Sequence, residues 1–288
     1  MNIFIPAIIL KSVILKFVGI KKLRQNYILK EETISIRNRA KENKMFSVLI
    51  SSLLAGLATF LGSLIVIILG KPGQKTLAWL LGFAAGIMLT VVIIDLIPSG
   101  LAYSNLVITV LGFFLGNLLL FFLDLLISWL PPVKKMCKTQ ETGHLLKMGY
   151  LIATGIALHD LPEGIAIAVG YSATEDLGII IALAIGLHNI PEGMATTAPF
   201  KMGGMKNLSI ILLILLVSLV TPLGALLGLI LVYISPSLIG LLLALAGGAM
   251  TYIVKRELWP ESRRRHPHYA YLGAFCGVIL MLLAENLL

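Results

Sequence analysis

The sequence predicts an all-α polytopic membrane protein with eight core transmembrane helices, and three observations carry that expectation. Of the 288 residues, 58% are hydrophobic and only 13% charged, outside the range of a soluble globular domain. The apolar residues form long runs at about 46–69, 77–98, 103–130, 148–170, 177–199, 208–233, 237–257 and 269–288, each near or above the roughly 20 residues that cross a bilayer core. Two of these runs contain near-identical polar blocks, Leu158-His159-Asp160-Leu161-Pro162-Glu163-Gly164 and Leu187-His188-Asn189-Ile190-Pro191-Glu192-Gly193. With no water in hydrocarbon to satisfy the backbone, the runs must be helices or a closed barrel, and the alternation of a barrel strand is absent.

The elements follow in chain order. Residues 1–44 carry 10 of the 23 Lys and Arg residues. Their apolar stretch from Ile3 to Ile20 is interrupted by Lys11 and Lys16 and lacks a small-residue cleavage site, so it makes a poor signal peptide. An extra N-terminal helix with a basic linker, or translation from Met45, would each explain it. Residues 1–44 are therefore set apart as an extension, and 45–288 as the eight-helix domain. Small residues at Ala58/Gly62, Gly82/Gly86, Gly112/Gly116 and Gly224/Gly228 suit close helix packing. Cys137, in a basic loop, and Cys276, in an apolar run, give no disulfide framework.

An internal repeat organises these spans. At an offset of 162, Thr59 to Gly62 fall on Thr221 to Gly224, Gly86 on Gly248, Met88 on Met250, Asp95 on Glu257 and Pro98 on Pro260. At an offset of 161, Gly112, Phe114 and Gly116 fall on Gly273, Phe275 and Gly277, and Asp124 on Glu285. Spans 1–3 thus match spans 6–8, and spans 4 and 5 lie between them in a 3+2+3 arrangement. Five spans separate equivalent helices, an odd number, so the copies insert in opposite senses. That inverted plan places a binding site near the midplane, as in secondary transporters.

The basic residues orient the bundle. Beyond residue 44, the other 13 Lys and Arg fall between spans 1 and 2, 3 and 4, and 5 and 6, and from the end of span 7 through the loop before span 8. The positive-inside rule puts those loops in the cytoplasm and both ends of the eight-helix core outside, in the cell (plasma) membrane. The net charge of +9 therefore reflects insertion into a lipid bilayer. Aromatic residues do not interleave with these charges, which excludes nucleic acid as the expected partner.

The blocks carry the chemistry. His and Glu at i and i+4 share one helix face, and ionisable groups at bilayer depth are costly enough to mark function. His159 and His188 each lie about 15 residues from the Glu175-Asp176 turn, on the order of 20 Å into the membrane on either side of it. Two antiparallel helices would bring both blocks to one depth. Imidazole with carboxylate suits zinc and its first-row neighbours, so His159, Glu163, His188 and Glu192 are the expected metal ligands. Asp160 and Asn189 are oxygen donors for an adjacent position or supports for the histidines, and the glutamates could bridge two positions. Pro162 and Pro191 free the carbonyls of Leu158 and Leu187. Asp95, Asp124, Glu257 and Glu285 are candidate pathway acids toward the two mouths, with Glu261 just beyond; interfacial ion pairing is their alternative role. His144, His266 and His268 read as a solvated basic region or loose cytoplasmic metal ligands.

The blocks resemble the signatures of helices 4 and 5 in the ZIP (Zrt-/Irt-like) family of divalent metal transporters. Gly82-Phe83-Ala84-Ala85-Gly86 leading to Asp95-Leu96-Ile97-Pro98 is similar to the second helix of its GufA-like branch. The resemblance spans residues 46–288. It implies eight core helices, outward termini and a binuclear centre between helices 4 and 5, with import of zinc and often iron, manganese or cadmium. It places the primary site on His159, Glu163, His188 and Glu192, and the secondary site on Asp160 and Asn189 with the shared glutamates. Thr221 stands before Pro222 where many relatives have Glu, which weakens the secondary position. Loop 3–4 is poor in histidine, and Lys255-Arg256 adjoins the helix 7 exit. No resident cofactor and no catalytic residue are expected; the metal is cargo, and a second copy of the chain is a candidate partner. The competing expectation is a membrane-embedded metalloenzyme, a hydrolase or protease, but His-x-x-x-Glu is not the zincin pattern and four ligands would close a tetrahedral metal.

Overall fold

A computed structural model describes the backbone of residues 24–129, 140–231 and 235–287, and the side chains of residues 44–126, 141–231 and 235–284. The Ile3–Ile20 stretch, Cys137 and the side chain of Glu285 lie outside the described residues. Every regular element described is helical, and eight helices are long and apolar enough to cross a membrane.

These are α1 (Arg24–Leu69, with its apolar part at Lys44–Leu69), α2 (Gln74–Tyr103), α3 (Leu106–Trp129) and α4 (Gln140–Ala173). They continue as α5 (Glu175–Met202), α6 (Asn207–Leu231), α7 (Pro236–Arg265) and α8 (Pro267–Leu287). By contact, the chain divides into Met1–Phe46 and Ser47–Leu288. In the first unit the described backbone is helical from Arg24. The remainder concerns the second.

Leu, Ile and Phe side chains stand exposed along the outer helix faces, as they do on a surface solvated by lipid: Ile68, Ile93, Leu106, Phe114 and Leu216 are all more than half exposed. α3 and α8 are the least covered helices, and α2 and α4 the most. α2 packs on α8, α3 on α7, and α4 on α5, α6 and α7.

The repeat is visible in the contacts. A Cβ at Gly86 would meet the Ala274 carbonyl oxygen across α2–α8, and one at Gly248 would meet that of Phe113 across α7–α3. Gly116 and Gly277 repeat the match against Leu245 and Phe83. Each contact maps onto its counterpart at the offsets of 162 and 161 read from the sequence. The same symmetry relates α1 on α5 to α6 on α4: Gly62 abuts the Ile190 carbonyl, and Gly224 abuts that of Leu161. Small residues let the backbones approach, because lipid offers no hydrophobic drive for larger side chains to bury against each other.

Two π-helical turns, Val92–Leu96 and Val254–Leu258, sit at equivalent places in α2 and α7. Pro98 and Pro260 lack the N–H that would bond the carbonyls of Ile94 and Arg256. Just before each proline the ladder widens, with Ile97 N–H donating to Val92 O and Trp259 N–H to Val254 O. The helices stay continuous, and the widened turns carry Asp95 and Glu257, the acids paired by the repeat.

The ends of the spans differ from expectation. α4 starts at Gln140 and α7 ends at Arg265, so Lys147 and Arg263 to Arg265 are helical residues where loops were expected. Long basic side chains keep their charged ends near water while the stem remains in the helix, so hydropathy truncates the span at the first charge.

Candidate metal centre

α4 and α5 are joined at Thr174, whose hydroxyl accepts the Leu177 N–H and caps α5. This one-residue turn makes the two helices antiparallel neighbours and sets their register. Both run unbroken through Pro162 and Pro191. Their blocks meet at one level: His188 Nε2 lies 2.8 Å from Glu163 Oε1, across the helix pair.

Glu163 is the hub. The same Oε1 lies 3.3 Å from His159 Nδ1, one turn back on α4, while His159 Nε2 lies 3.1 Å from Glu192 Oε2 on α5. Asp160 Oδ1 is 3.5 Å from His159 Nδ1. All six block residues, Asn189 included, are buried. The four expected primary ligands therefore form a chain, Glu192–His159–Glu163–His188. The set whose donor atoms all lie within 4.8 Å of one another is His159, Asp160 and Glu163.

The His188–Glu163 contact at 2.8 Å has hydrogen-bond length, and the 3.1 and 3.3 Å contacts of His159 also match the spacing of two donors around one ion. Two donors on one tetrahedral zinc, at about 2.0 Å from the ion, stand about 3.3 Å apart. Both ring nitrogens of His159, both oxygens of Asp160 and of Glu192, Glu163 Oε2, His188 Nδ1 and Asn189 Oδ1 have no hydrogen-bond partner among the described residues. Buried polar groups are ordinarily paired, so this many in one place calls for something to bind them, and a cation meets that need.

Asn189 is held from behind. Its Nδ2 donates to the Ala55 carbonyl of α1 at 3.0 Å, leaving Oδ1 as the unengaged end. Deeper along α5, Thr197 Oγ1 donates to Ser63 Oγ at 2.7 Å. The amide suits position 189, because an ionised aspartate would set a carboxylate against a carbonyl with no proton between them. Asn189→Asp is expected to cost about 1–3 kcal/mol in stability, read as a lower unfolding temperature without metal. Asn189→Ala should lose the bond without the added repulsion and fall between. Thr221 on α6 is buried and its Oγ1 lacks a hydrogen-bond partner among the described residues, so it remains a neutral oxygen.

A family profile described as ZIP Zinc transporter matches residues 132–285. The zinc transporter ZupT of Chlorobium chlorochromatii (strain CaD3) is 35% identical over 253 residues, covering 81% of this chain and 94% of that protein. ZupT of Escherichia fergusonii is 35% identical over 246 residues, covering 81% and 93% of the two chains. ZupT of Chlorobium luteolum is 36% identical over 260 residues, covering 83% and 97%. The chain belongs to the ZIP family.

In this ZIP protein the centre opens on one side into a cavity of about 140 Å³ lined by Asp95, Ser99, Tyr103, Glu163, Leu177 and His188, among others. It runs beside the α4–α5 turn, and Asp95 accepts a bond from Ser99 Oγ at 3.0 Å in its wall. Asp95 therefore shares a space with two of the block residues. A wider cavity of about 730 Å³ lies at the opposite end, where α4 begins and α7 ends, with Glu257, Glu261, His144 and Arg264 in its walls.

Asp124 and Glu261 are engaged. Asp124 takes Lys147 Nζ at 2.6 Å on one oxygen and the Tyr252 hydroxyl at 3.0 Å on the other. Glu261 receives Arg264 and Arg265, and faces His144 Nε2 at 3.2 Å. The sequence reading did not place Lys147, Tyr252 or Arg265 near these groups. The spacing of Glu141, His144 and Lys147 at i, i+3 and i+6 was the available signal, one helix face bearing three charged or titratable groups.

Proposed function

We infer that this chain carries a divalent metal ion across the membrane, with zinc as its cargo, through the centre between α4 and α5. The observation that carries the reading is the cluster of buried nitrogen and oxygen atoms, most without a hydrogen-bond partner among the described residues, contributed by two antiparallel helices at one level. The ZupT relatives are named as zinc transporters, which supports the same cargo. His159, Glu163, His188 and Glu192 hold the ion, and Asp160 and Asn189 supply oxygen to an adjacent position. Iron, manganese and cadmium suit the same donors and would compete.

The chemistry runs by exchange of ligands. A hydrated cation is drawn by Asp95 into the cavity beside the α4–α5 turn, which has room for several waters. Glu163 and His188 border that cavity and take the ion first. His159 and Glu192 complete its shell as water leaves. On the charge pattern, this side is extracytoplasmic and the wider cavity faces the cytoplasm, so net movement is inward across the plasma membrane. The inverted repeat suits this task, since a symmetric bundle can open the same site to either side, and it has no use in an embedded hydrolase. Residues 45–288 form the transport domain in this reading, with 1–44 an extension and a second copy of the chain as a possible partner.

The test is radiotracer zinc uptake into proteoliposomes holding the purified chain, with iron, manganese and cadmium as competitors. Saturable uptake that cadmium suppresses is expected. Uptake no greater than in protein-free liposomes would overturn the reading.

A further inference from the structure

Basic and aromatic residues gather around the first turn of α8, and the metal centre leaves them without a role. Arg265 Nη1, at the end of α7, donates to Gln74 Oε1 at the start of α2 at 2.8 Å, and Ser262 Oγ donates to the Ala78 carbonyl at 2.6 Å. α8 begins at Pro267, so the end of α7 and the starts of α2 and α8 lie at one level of the bundle. Tyr269 and Tyr271 stand two positions apart on α8, about 200° around its axis, and mark opposite flanks of that helix. On one flank, Nζ of Lys75 from α2 lies 5.7 Å from the centre of the Tyr269 ring. On the other, the Arg263 guanidinium of α7 lies 5.9 Å from the Trp259 ring and 5.7 Å from that of Tyr271. Those two rings meet edge to face at 5.2 Å. Lys75, Arg263, Tyr269 and Tyr271 are all exposed. Arg264 and Arg265 are paired with Glu261, whereas Lys75 and Arg263 meet no carboxylate within ion-pair distance among the described residues.

We propose that this rim binds the headgroups of anionic phospholipids, with Lys75 and Arg263 taking the phosphates on the two flanks of α8. Trp and Tyr settle at headgroup level, where one end of the ring is in lipid and the other in water. A cation held against such rings is set at the depth of lipid phosphate with part of its conformational freedom already removed. The rings steady the Arg263 guanidinium without neutralising it, so its paired N–H donors remain for a phosphate. A lipid fits better than a soluble anion because apolar surface continues from each flank. Leu272 lies one turn further into the span than Tyr269, and Phe275 one turn further than Tyr271, and both are more than half exposed. A lipid anchored at either cation can lay its chains along them. On the charge pattern this rim faces the cytoplasm, where the leaflet carries anionic lipid.

The experiment counts lipid bound to the purified full-length chain in a neutral detergent by native mass spectrometry, during titration with phosphatidylglycerol or phosphatidylcholine. Phosphatidylglycerol is expected to bind more tightly. Lys75→Gln and Arg263→Gln should each weaken it about fivefold, the contribution of one basic residue at an anionic surface, and the double variant about 25-fold. Tyr271→Leu should weaken it about two- to fivefold with no change of charge, and Tyr271→Phe, which keeps the ring, should not. Lys206→Gln removes the same charge at the exposed start of α6 and is the control. It should leave the affinity within about twofold, since distant charges are screened. Equal affinity for the two lipids overturns the proposal, as does a double variant that binds like the unmodified chain or an equal loss in Lys206→Gln. A purely structural cluster would lower the unfolding temperature in lipid-free detergent and leave lipid binding unchanged, which also overturns it. Displacement of bound phosphatidylglycerol by an equal concentration of inorganic phosphate would make the cluster a general anion site and remove the lipid assignment.

Discussion

Glu163→Ala is expected to abolish zinc uptake, and Glu163→Gln to do nearly the same. One oxygen of Glu163 is shared between His159 Nδ1 at 3.3 Å and His188 Nε2 at 2.8 Å, so this carboxylate joins the two helices' contributions. It also borders the cavity that leads in from the α4–α5 turn. Removing it deletes the anion that both imidazoles share and the only block acid in the wall of that cavity. Loss of an outer-shell support costs about 10–100-fold in metal affinity, so loss of a ligand bridging the centre should exceed that. Glutamine keeps the size and the packing but offers a neutral oxygen, which separates charge from shape. Isothermal titration with zinc and proteoliposome uptake check both variants. Wild-type uptake in the two of them would remove Glu163 from the site.

Much of that arrangement was legible before any coordinates. The blocks repeat at an offset of 29 and straddle the turn, expected at Glu175-Asp176 and found one residue earlier at Thr174, which is enough to bring His188 against Glu163 once both segments are helical and antiparallel. The offset of 162 pointed to the matched helices and paired Asp95–Pro98 with Glu257–Pro260, but the two π turns that precede those prolines were not anticipated. Proline after an acid is a local signal, and it acts locally. The partners of Asp124 were not legible, because Lys147 and Tyr252 come from α4 and α7 and no spacing in one helix encodes a meeting of three. Reading Lys147 as a loop charge concealed it further. The internal order of the centre was also beyond reach. Spacing grouped His159 with Glu163, but it gave no sign that Glu192 would reach the opposite nitrogen of the same ring at 3.1 Å.

Gly164→Ala and Gly193→Ala should each destabilise the protein severely and by similar amounts. Each glycine directly follows the block glutamate of its helix. A Cβ at Gly164 would collide with the Thr221 carbonyl of α6, and one at Gly193 with the Thr59 carbonyl of α1. The obstacle in both cases is backbone, which cannot rotate away as a side chain can, so the helices must separate. Overpacking a core typically costs about 1–3 kcal/mol where side chains yield, and a rigid obstacle places these variants at or above the upper end. Separation at Gly193 would also pull α1 from α5 near the Asn189–Ala55 hydrogen bond, and separation at Gly164 would shift Thr221 away from α4. Zinc binding should therefore fall along with the unfolding temperature. Gly186→Ala, on the same helix as Gly193, is the control: its Cβ would sit 3.7 Å from Ala55 Cα, an ordinary contact. Alanine is favoured over glycine in a helix interior by about 1 kcal/mol, so Gly186→Ala should be neutral or stabilising. The pseudo-symmetry adds a stricter requirement than loss alone, because Thr59 and Thr221 occupy equivalent places in the repeat. A large effect at Gly164 with none at Gly193 would mean that the two halves grip the central helices differently, and the matched contacts would then lose their standing as the frame of the site.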